Sequence, residues 1–269
     1  MFNDIVIIRG GGDLASGTIQ KLHRSGFRVL VLEVAKPTAI RRSVSFSEAV
    51  YEREVKIEGI IAAHVCSLSE VENAWSNKKI PVIIDEEGKY IQKIKPKIVV
   101  DAIIAKKNMG TTKDMADITI AIGPGFTAGK DVDVVIETTR GHNLGRLIFH
   151  GQAAKNTGIP GNIMGYSKER VIHSTCAGII KNVLDIGAVV EKDEVIAYIG
   201  ENQIKATISG LLRGILRSGS TVKEGFKIAD IDPRVSEKMN CYTISDKARN
   251  IAGGVLEAVL YLTTFQKEG

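Results

Sequence analysis

The sequence is poor in cysteine: 269 residues contain only three, at Cys66, Cys176 and Cys241. Their number is odd, they lie far apart, and no CxxC pair occurs. This pattern argues against a disulfide framework and against a zinc site built on paired cysteines. We therefore predict neither a disulfide nor a bound metal.

The sequence is also poor in aromatic residues, at 5% of the chain, and it has no dense run of basic residues. Few aromatic side chains leave few surfaces on which nucleic-acid bases can stack. The net charge of +5 is modest and spread along the chain, so it does not imply bulk nucleic-acid binding. A basic pocket for a phosphorylated ligand remains compatible with this composition.

Long hydrophobic runs are absent as well. Because no stretch of about 18 apolar residues occurs, we predict no transmembrane span and no membrane partner. Asp4 and Arg9 interrupt the first apolar run, which argues against a signal peptide and predicts a cytoplasmic protein. The length fits one or two domains whose cores need no disulfides.

What the sequence does contain begins with a strand, a helix and a second strand. Residues 4–9 predict a buried strand, with an apolar run from Ile5 to Ile8, and residues 10–12, which are all glycine, follow at once. Asp13 offers an N-cap for the helix. Residues 28–33, rich in valine and leucine, predict the second strand.

The glycine turn matches a GxGxxA pattern. Such glycines permit a sharp turn and let a phosphate approach the N–H groups of the following helix, while an acid closing the second strand can bind a ribose hydroxyl. The predicted nucleotide-type site consists of Gly10, Gly11, Gly12, Asp13 and Glu33. Asp13 would repel an anion unless it caps the helix or binds a metal. The alternative is a turn that merely packs a helix on a sheet.

A layered α/β sheet is predicted from the strands that follow. An amphipathic helix is predicted at residues 68–76. Further strands are predicted at residues 80–85, 97–104, 118–122, 132–138 and 147–149.

Two more glycine-rich segments, residues 122–129 and 137–146, follow predicted strands. Loops beyond the carboxyl ends of strands are where open α/β sheets bind ligands. The histidine of the second segment is either a general base, an orienting donor or, more commonly for a lone histidine, a structural residue. The candidate binding residues are Gly123, Pro124, Gly125, Phe126, Thr139, Arg140, Gly141, His142 and Arg146.

Arginines are candidate anion ligands, because a guanidinium can hold an oxyanion through two hydrogen bonds. Arg41 and Arg42 lie beyond the second strand, where they could hold a 2′-phosphate or another anion; a solvated loop is the alternative. For Arg140 the alternative is an ion pair with Glu137 or Asp133.

An internal repeat with an offset of 32 residues runs through residues 172–232, where Gly178 matches Gly210. Two such half-units are expected to pair around a pseudo-twofold axis. The pattern resembles the biotinyl and lipoyl domains, which carry their cofactor on a lysine at a hairpin tip. Residues 200–203 occupy that place here and contain no lysine, while Lys205 falls within the next strand. We therefore predict no biotin or lipoate.

A final helix follows Ser245, which is a good N-cap. Gly253 and Gly254 inside this helix predict close packing against another backbone.

These patterns predict an α/β protein of three parts. A Rossmann-like layered-sheet domain is predicted at residues 1–165, and an all-β barrel-sandwich domain without a carrier lysine at residues 166–235. The remaining residues, 236–269, form a C-terminal helix that packs back on the first domain.

The chain resembles the YqeB-type accessory proteins of selenium-dependent molybdenum hydroxylase systems, and its central segments resemble the xanthine dehydrogenase accessory proteins. The segments that carry the resemblance are RGGGDLASG (9–17), VDAIIAK (100–106), GPGF (123–126), residues 137–146, DIDPR (230–234) and ISDK (244–247).

The resemblance implies an accessory protein that matures a selenium-dependent molybdenum hydroxylase. Such a protein would bind molybdenum cofactor (molybdopterin) or a nucleotide and assist cofactor loading, selenation or sulfuration. Its partners would be the hydroxylase apoenzyme and a selenium or sulfur donor. A reactive thiol would suit this delivery, and Cys241 is preferred to Cys176 because it precedes a predicted helix start. For each, a small buried hydrophobic residue is the alternative.

Two other functions remain as alternatives. An NAD(P)-dependent oxidoreductase would use the glycine turn and Glu33, but the sequence has no clear catalytic acid or base motif. A non-catalytic scaffold would use the barrel-sandwich to recruit the hydroxylase. The sequence leaves homo-oligomerisation and catalysis open.

Overall fold

The structure, a computed structural model, describes residues 4–265, which fall into two compact units. Unit 1 comprises the residues up to Pro37, Ser45–Asn156, and the residues from Ile244 onwards. Unit 2 comprises Thr38–Val44 and Thr157–Thr243. The domain boundaries predicted from the sequence, after residues 165 and 235, stay predictions.

Unit 1 contains a nine-stranded sheet within the described residues, in the order β3-β4-β5-β2-β1-β6-β7-β8-β9. The seven inner strands run parallel, whereas β3 and β9 at the two edges run antiparallel to their neighbours. The strands are β1 (Ile5–Arg9), β2 (Arg28–Glu33), β3 (Glu54–Ile57), β4 (Ile60–Val65), β5 (Ile80–Ile84), β6 (Ile98–Asp101), β7 (Ile118–Ile122), β8 (Val134–Ile136) and β9 (Leu147–Ile148).

Helices cover both faces of this sheet. The helices are α1 (Asp13–Arg24), α2 (Ala49–Glu52), α3 (Leu68–Ser76), α4 (Lys89–Ile94) and α5 (Asp246–Phe265). Because side chains alternate along a strand, Val6 and Ile8 of β1 pack in a core with α1 and α5, whereas Ile7 packs in a second core with α3 and α4. Within residues 4–265, none of the helices is both long enough and apolar enough to span a membrane.

These observations correct the fold class predicted for the N-terminal part. The sheet is mixed, and within the described residues no α-helix connects β6 to β7 or β7 to β8. A Rossmann-like sheet is parallel and places a helix after successive strands. Here α5, from the far end of the sequence, covers the face over β7 and β8 instead. Unit 1 is therefore a mixed-sheet unit with a C-terminal helix.

The predicted strands also differ from those in the structure. The strand predicted at residues 97–104 already ends at Asp101, because the following residues form a loop in which Ile104 has a φ of 59°. The hairpin formed by β3 and β4 was not predicted, although its residues alternate in burial as strands do.

Unit 2 contains two four-stranded sheets, ordered β10-β17-β15-β12 and β14-β13-β11-β16. The 32-residue repeat is visible in them, since β11, β12 and β13 correspond to β15, β16 and β17. The copies exchange partners: β11 pairs with β16 and β12 pairs with β15. The strands are β10 (Val171–His173), β11 (Gly178–Asn182), β12 (Val189–Val190), β13 (Val195–Ile199), β14 (Asn202–Lys205), β15 (Gly210–Ile215), β16 (Thr221–Val222) and β17 (Lys227–Asp232).

The prediction of a barrel-sandwich domain is likewise corrected. The described strands of unit 2 lie in two separate four-stranded sheets and not in one closed barrel. Lys205 is the last residue of β14, outside the turn at residues 200–201.

Helix α5 packs on unit 1 by direct backbone contact. Ser245 caps it, since the Ser245 hydroxyl accepts a hydrogen bond from the Ala248 N–H at 3.2 Å. A Cβ on Gly17 of α1 would lie 2.5 Å from the Ala248 carbonyl oxygen, and a Cβ on Gly254 would overlap the carbonyl oxygen of Gly145. These glycines therefore permit α5 to lie directly on α1 and on the loop after β8.

Glu58, in the turn between β3 and β4, ties the start of α5 to α1. Its carboxylate accepts hydrogen bonds from the Ile244 N–H at 2.9 Å, from Gln20 at 3.0 Å and from Arg249 at 2.5 Å. Charge-assisted bonds of this kind are stronger than neutral ones. Glu58 thereby fixes the residue from which α5 begins.

The two adjacent glycines of α5 give a matched test of this packing. We expect Gly254→Ala to lower the free energy of unfolding by about 1–3 kcal/mol, because the added methyl group overlaps backbone. The nearest atom to a Cβ on Gly253 is the Lys21 Nζ at 3.9 Å, so Gly253→Ala should gain about 0.5–1 kcal/mol of helix stability. Urea denaturation measures both, and equal stability of the two variants would contradict the proposed contact.

Candidate functional site

The predicted site residues lie at one edge of the unit 1 sheet. Parallel strands end at the same edge, so the segments after β1, β2, β6, β7 and β8 meet there. Neighbouring strands are about 4.8 Å apart, which puts β1 and β8 about 14 Å apart. The predicted residues therefore form two groups, one after β1 and β2 and the other after β7 and β8, with the loop after β6 between them.

The glycine turn after β1 is shaped by its surroundings. Gly10 has a φ of 94°, and a Cβ there would lie 3.0 Å from the Ala102 carbonyl oxygen. The N–H of Ser47 donates to the Gly11 carbonyl oxygen at 2.8 Å. Over Gly12, in contrast, a Cβ would meet no atom within 4 Å. The turn is thus packed on one side and open at Gly12.

The N-cap of α1 is Gly12 and not Asp13, which corrects the sequence-based prediction. Gly12 has extended backbone angles and provides no side-chain cap, while Asp13 is the first helical residue. An acidic residue in the first turn is favoured by the helix dipole. Asp13 consequently stands beside the open space at Gly12.

Glu33 ends β2 and bonds to the glycine turn. Its carboxylate accepts hydrogen bonds from the Gly11 N–H at 2.7 Å and from the Val34 N–H at 2.8 Å. Burial raises the pKa of Glu33, the two N–H bonds oppose that change, and the nearby Glu86 adds to it. Glu33 therefore lies at the glycine turn, where its partners in this structure are backbone N–H groups, and its role in binding a ligand stays a prediction.

A buried polar network lies beneath the turn, and the sequence reasoning missed it. Arg9 ends β1 and Asp101 ends β6, and both are almost fully buried. The Arg9 guanidinium donates to the Thr111 hydroxyl at 2.5 Å, and that hydroxyl donates to Asp101 at 2.6 Å. Burial raises the pKa of Asp101. The available signal was a charged residue at the end of each apolar strand.

Glycines also join the successive loops of this edge. A Cβ on Gly125 would lie 2.6 Å from the Cα of Lys107 in the loop after β6, and a Cβ on Gly123 would lie 3.0 Å from the Thr138 hydroxyl. Pro124 is half-buried and Phe126 is buried in an apolar cluster. The structure therefore gives Phe126 a core position, and Gly123 and Gly125 serve as contacts between loops.

The loop after β8 is organised by Glu137. Its carboxylate accepts hydrogen bonds from the N–H groups of Thr138 and Thr139, both at 2.7 Å, and of Ala154 at 2.8 Å. Burial opposes the ionised form, but these bonds outweigh it and lower the pKa of Glu137. Glu137 is thus a carboxylate that shapes the loop.

The exposed part of this loop contains the remaining predicted residues. Thr139, Gly141, His142 and Arg146 are exposed, and Arg146 contacts the Asn143 side chain at 3.4 Å. Within residues 4–265, no hydrogen bond or ion pair joins these four positions to the Gly10–Gly12 turn.

Arg140 forms an ion pair, but with neither of the acids considered from the sequence. Its guanidinium donates to the two carboxylate oxygens of Asp246 at 2.8 and 3.2 Å. Asp246 begins α5, and the next residue, Lys247, is half-buried. Burial lowers the pKa of Lys247, as does nearby Arg140, while Asp13 and Glu137 raise it. Sequence reasoning did not find Lys247, because its place depends on how α5 packs.

Arg41 and Arg42 belong to unit 2 and not to the glycine turn, which corrects the idea of an anion site there. Buried Arg41 donates to the Asn240 and Thr243 carbonyl oxygens, both at 3.0 Å. Arg42 donates to the Ile215 carbonyl oxygen at 2.8 Å. Both guanidinium groups bond to protein atoms within unit 2.

The cysteines give no sign of an activated thiol. Cys66 is exposed, Cys176 is half-buried and Cys241 is buried. Burial raises the pKa of Cys241, which is opposite to the effect predicted from its position before a helix. In the part of the chain that the structure covers, no group of three or more histidine, cysteine or acidic residues could hold a metal ion.

Comparison with known proteins finds a relative in sequence. No protein-family model matches the chain. The uncharacterised protein YqeB of Escherichia coli K12 is 50% identical over 260 residues, which are 97% of this chain and 48% of YqeB. The chain thus spans about half the length of this relative.

Solved structures found by comparison carry hydrolase and ectoine-utilisation names. They include the ectoine utilisation protein EutE (DoeB) from Ruegeria pomeroyi, with 10% identity, 85% coverage of each chain and a TM-score of 0.26. A succinylglutamate desuccinylase from Silicibacter sp. TM1040 has 11% identity, coverage of 85% and 84%, and a TM-score of 0.25. An aspartoacylase family protein from Mesorhizobium loti has 13% identity, coverage of 86% and 85%, and a TM-score of 0.26.

The sequence relative carries the YqeB name of the predicted resemblance, but the accessory role and the function predicted with it are corrected. The structures named above are not xanthine dehydrogenase accessory proteins, and the relative is uncharacterised. The prediction of a maturation factor for a selenium-dependent molybdenum hydroxylase is wrong, together with its hydroxylase and selenium-donor partners, whereas the predicted molybdenum cofactor stays a prediction. The oxidoreductase and scaffold alternatives gain no support. At TM-scores of 0.25–0.26, these structures do not assign their own activities to this chain.

The raised pKa of Glu33 predicts a pH dependence of stability. A carboxyl whose pKa is higher in the folded state stabilises that state fully below its ordinary pKa of 4.5, and this contribution is lost as the pH rises through the folded value. We expect the stability of the wild-type protein relative to Glu33→Gln to fall as the pH rises from 4.5, measured by urea denaturation.

Glu58→Gln is the control, because the pKa of Glu58 is lowered in the folded protein and its effect on stability should change with pH in the opposite direction. Although burial opposes it, the hydrogen bonds from Gln20, Arg249 and Ile244 lower the pKa of Glu58. Its contribution is therefore present above the ordinary pKa and lost as the pH falls. Parallel pH trends for the Glu33 and Glu58 variants would contradict this assignment.

The burial of the cysteines predicts their order of reactivity. Thiolate attack needs both access and ionisation, so iodoacetamide at pH 7.5 should alkylate Cys66 first and Cys241 last. Mass spectrometry of digests over time would measure this order. Denatured protein, in which all three should react, is the control, and fast labelling of native Cys241 would revive it as a reactive thiol.

Proposed function

We propose that unit 1 binds a nucleotide at the carboxyl ends of β1 and β2. Its phosphate would lie over Gly12 and its ribose hydroxyls would reach Glu33. The observation that carries the proposal is the combination, at one turn, of open space over Gly12 with a carboxylate held on the neighbouring strand.

The backbone around Gly12 supports the phosphate end. A phosphate needs N–H groups that protein atoms do not cover, and a side chain on the glycine would take its space. The space over Gly12 is free of protein atoms for 4 Å from a Cβ position, whereas Gly10 and Gly11 both have backbone at 3.0 Å. Of the three glycines, Gly12 is therefore the one that a ligand would approach.

Glu33 supports the ribose end. Its two oxygens are held by the N–H groups of Gly11 and Val34, which leaves lone pairs for hydroxyl donors. A carboxylate that accepts from ribose hydroxyls is the usual use of an acid at this place on a strand. Because nucleotides are abundant in the cytoplasm, this ligand would also agree with the predicted cytoplasmic location.

A panel of nucleotides tests the proposal. We expect at least one of NAD, NADP, ATP, CTP and GTP to raise the thermal midpoint of the wild-type protein. A ligand at a hundredfold excess over its Kd adds about 2.7 kcal/mol of stability. Gly12→Val should abolish the shift, because its side chain fills the open space while meeting no protein atom near the Cβ position.

Gly253→Ala provides the control, since it also adds a side-chain carbon in open surroundings but lies away from the turn. Its ligand-induced shift should equal that of the wild-type protein. The proposal fails if none of the five nucleotides shifts the wild-type midpoint, or if Gly12→Val folds and responds as the wild-type protein does.

A further inference from the structure

Charged side chains from three segments of unit 1 surround Lys247, which lies close to the start of α1. Asp13 comes from α1, Glu137 and Arg140 lie in the loop after β8, and Asp246 and Lys247 begin α5. Lys247 interacts electrostatically with the other four. The contact of Gly17 with Ala248 brings the first turn of α5 close to α1.

Three of these side chains are already engaged. Arg140 and Asp246 hold each other through two hydrogen bonds. The Glu137 carboxylate is held by the N–H groups of its own loop and of Ala154. To bind a ligand, Arg140 would first have to give up a two-bond ion pair, which lowers the affinity that it could provide.

Lys247 differs from them. In residues 4–265, no hydrogen bond and no ion pair is recorded for its ammonium group, although the residue is half-buried. A partly desolvated cation with no direct partner is at its most favourable when an anion binds beside it. The carboxylates of Asp13, Glu137 and Asp246 act on Lys247 only through space, so a phosphate could bind its ammonium group without breaking a two-bond ion pair like that of Arg140.

We infer that Lys247 is the cation that binds the phosphate of the ligand at Gly12, an inference that rests on the proposed nucleotide site. The positive charge of Lys247 also offsets the negative charge of Asp13, which alone would oppose an anion there. The binding groups thus come from both ends of the sequence: the turn after β1 contributes backbone, and the first turn of α5 contributes charge.

Calorimetric titration of the full chain with ATP and with inorganic pyrophosphate tests the inference. A hydrogen bond to a charged group contributes about 1.5–3 kcal/mol, so Lys247→Met should weaken binding of both probes about 10- to 100-fold. Lys247→Arg should restore part of the affinity because it restores the charge. Arg140→Met should weaken binding less than Lys247→Met does.

Lys21→Met is the matched control, since Lys21 lies on α1 near Gly253 and thus away from the Gly12 end of that helix. It should bind both probes with wild-type affinity. The thermal midpoints of all variants show whether each one folds. A loss for Arg140→Met as large as for Lys247→Met, or wild-type affinity of Lys247→Met, would overturn the assignment to Lys247.

Amine labelling gives a second measurement that needs no variant. Limiting acetic anhydride at pH 7 acetylates accessible unprotonated amines, and peptide mass spectrometry reports each site. ATP and pyrophosphate should protect Lys247 and leave Lys21 unchanged. Binding by the wild-type protein without protection of Lys247 overturns the inference alone, whereas no binding of any nucleotide or of pyrophosphate overturns the proposed function as well.

Discussion

The packing of α5 directly on α1 and on the loop after β8 is the contact on which the rest of unit 1 depends. It is possible only because Gly17 and Gly254 have no side chains where the backbones meet. Because no α-helix connects β6, β7 and β8 within residues 4–265, α5 provides the apolar residues that cover that face of the sheet. The same contact determines where Asp246 and Lys247 lie, so the packing of the core and the composition of the candidate site share one cause.

At the carboxyl ends of β1 and β6, buried polar side chains and not apolar packing hold the loops in place. Arg9 and Asp101 are buried at the ends of adjacent strands, and burying either charge alone would be costly. Thr111 lies between them, accepting from the guanidinium and donating to the carboxylate, and so fixes the loop after β6. That loop touches the Gly10 backbone on one side and Gly125 on the other. The loop after β6 is therefore held in place by hydrogen bonds and in turn supports the backbone of the glycine turn.

Local sequence signals predicted local structure well and long-range structure poorly. Residues 68–76 were predicted as a helix and form α3, and Ser245 caps α5 as expected, because apolar periodicity and capping act within a few residues. The fold class was wrong because a glycine turn between a strand and a helix does not determine how later strands are connected. The strand predicted at residues 97–104 was too long because hydrophobicity alone does not show that Asp101 forms a hydrogen bond with Thr111 of the following loop.

The candidate site shows the same division at the level of single side chains. Glu33 could be predicted because it lies one strand away from the turn, a distance fixed by the strand–helix–strand unit. Arg140 looked like an anion ligand because its partner was unknown; once α5 brings Asp246 within 2.8 Å, its charge is already satisfied. Because Asp246 pairs with Arg140, Lys247 is the neighbouring cation that a phosphate could bind. Which of two neighbouring cations is available is therefore decided by a carboxylate more than a hundred residues away in sequence, and only the folded chain reveals it.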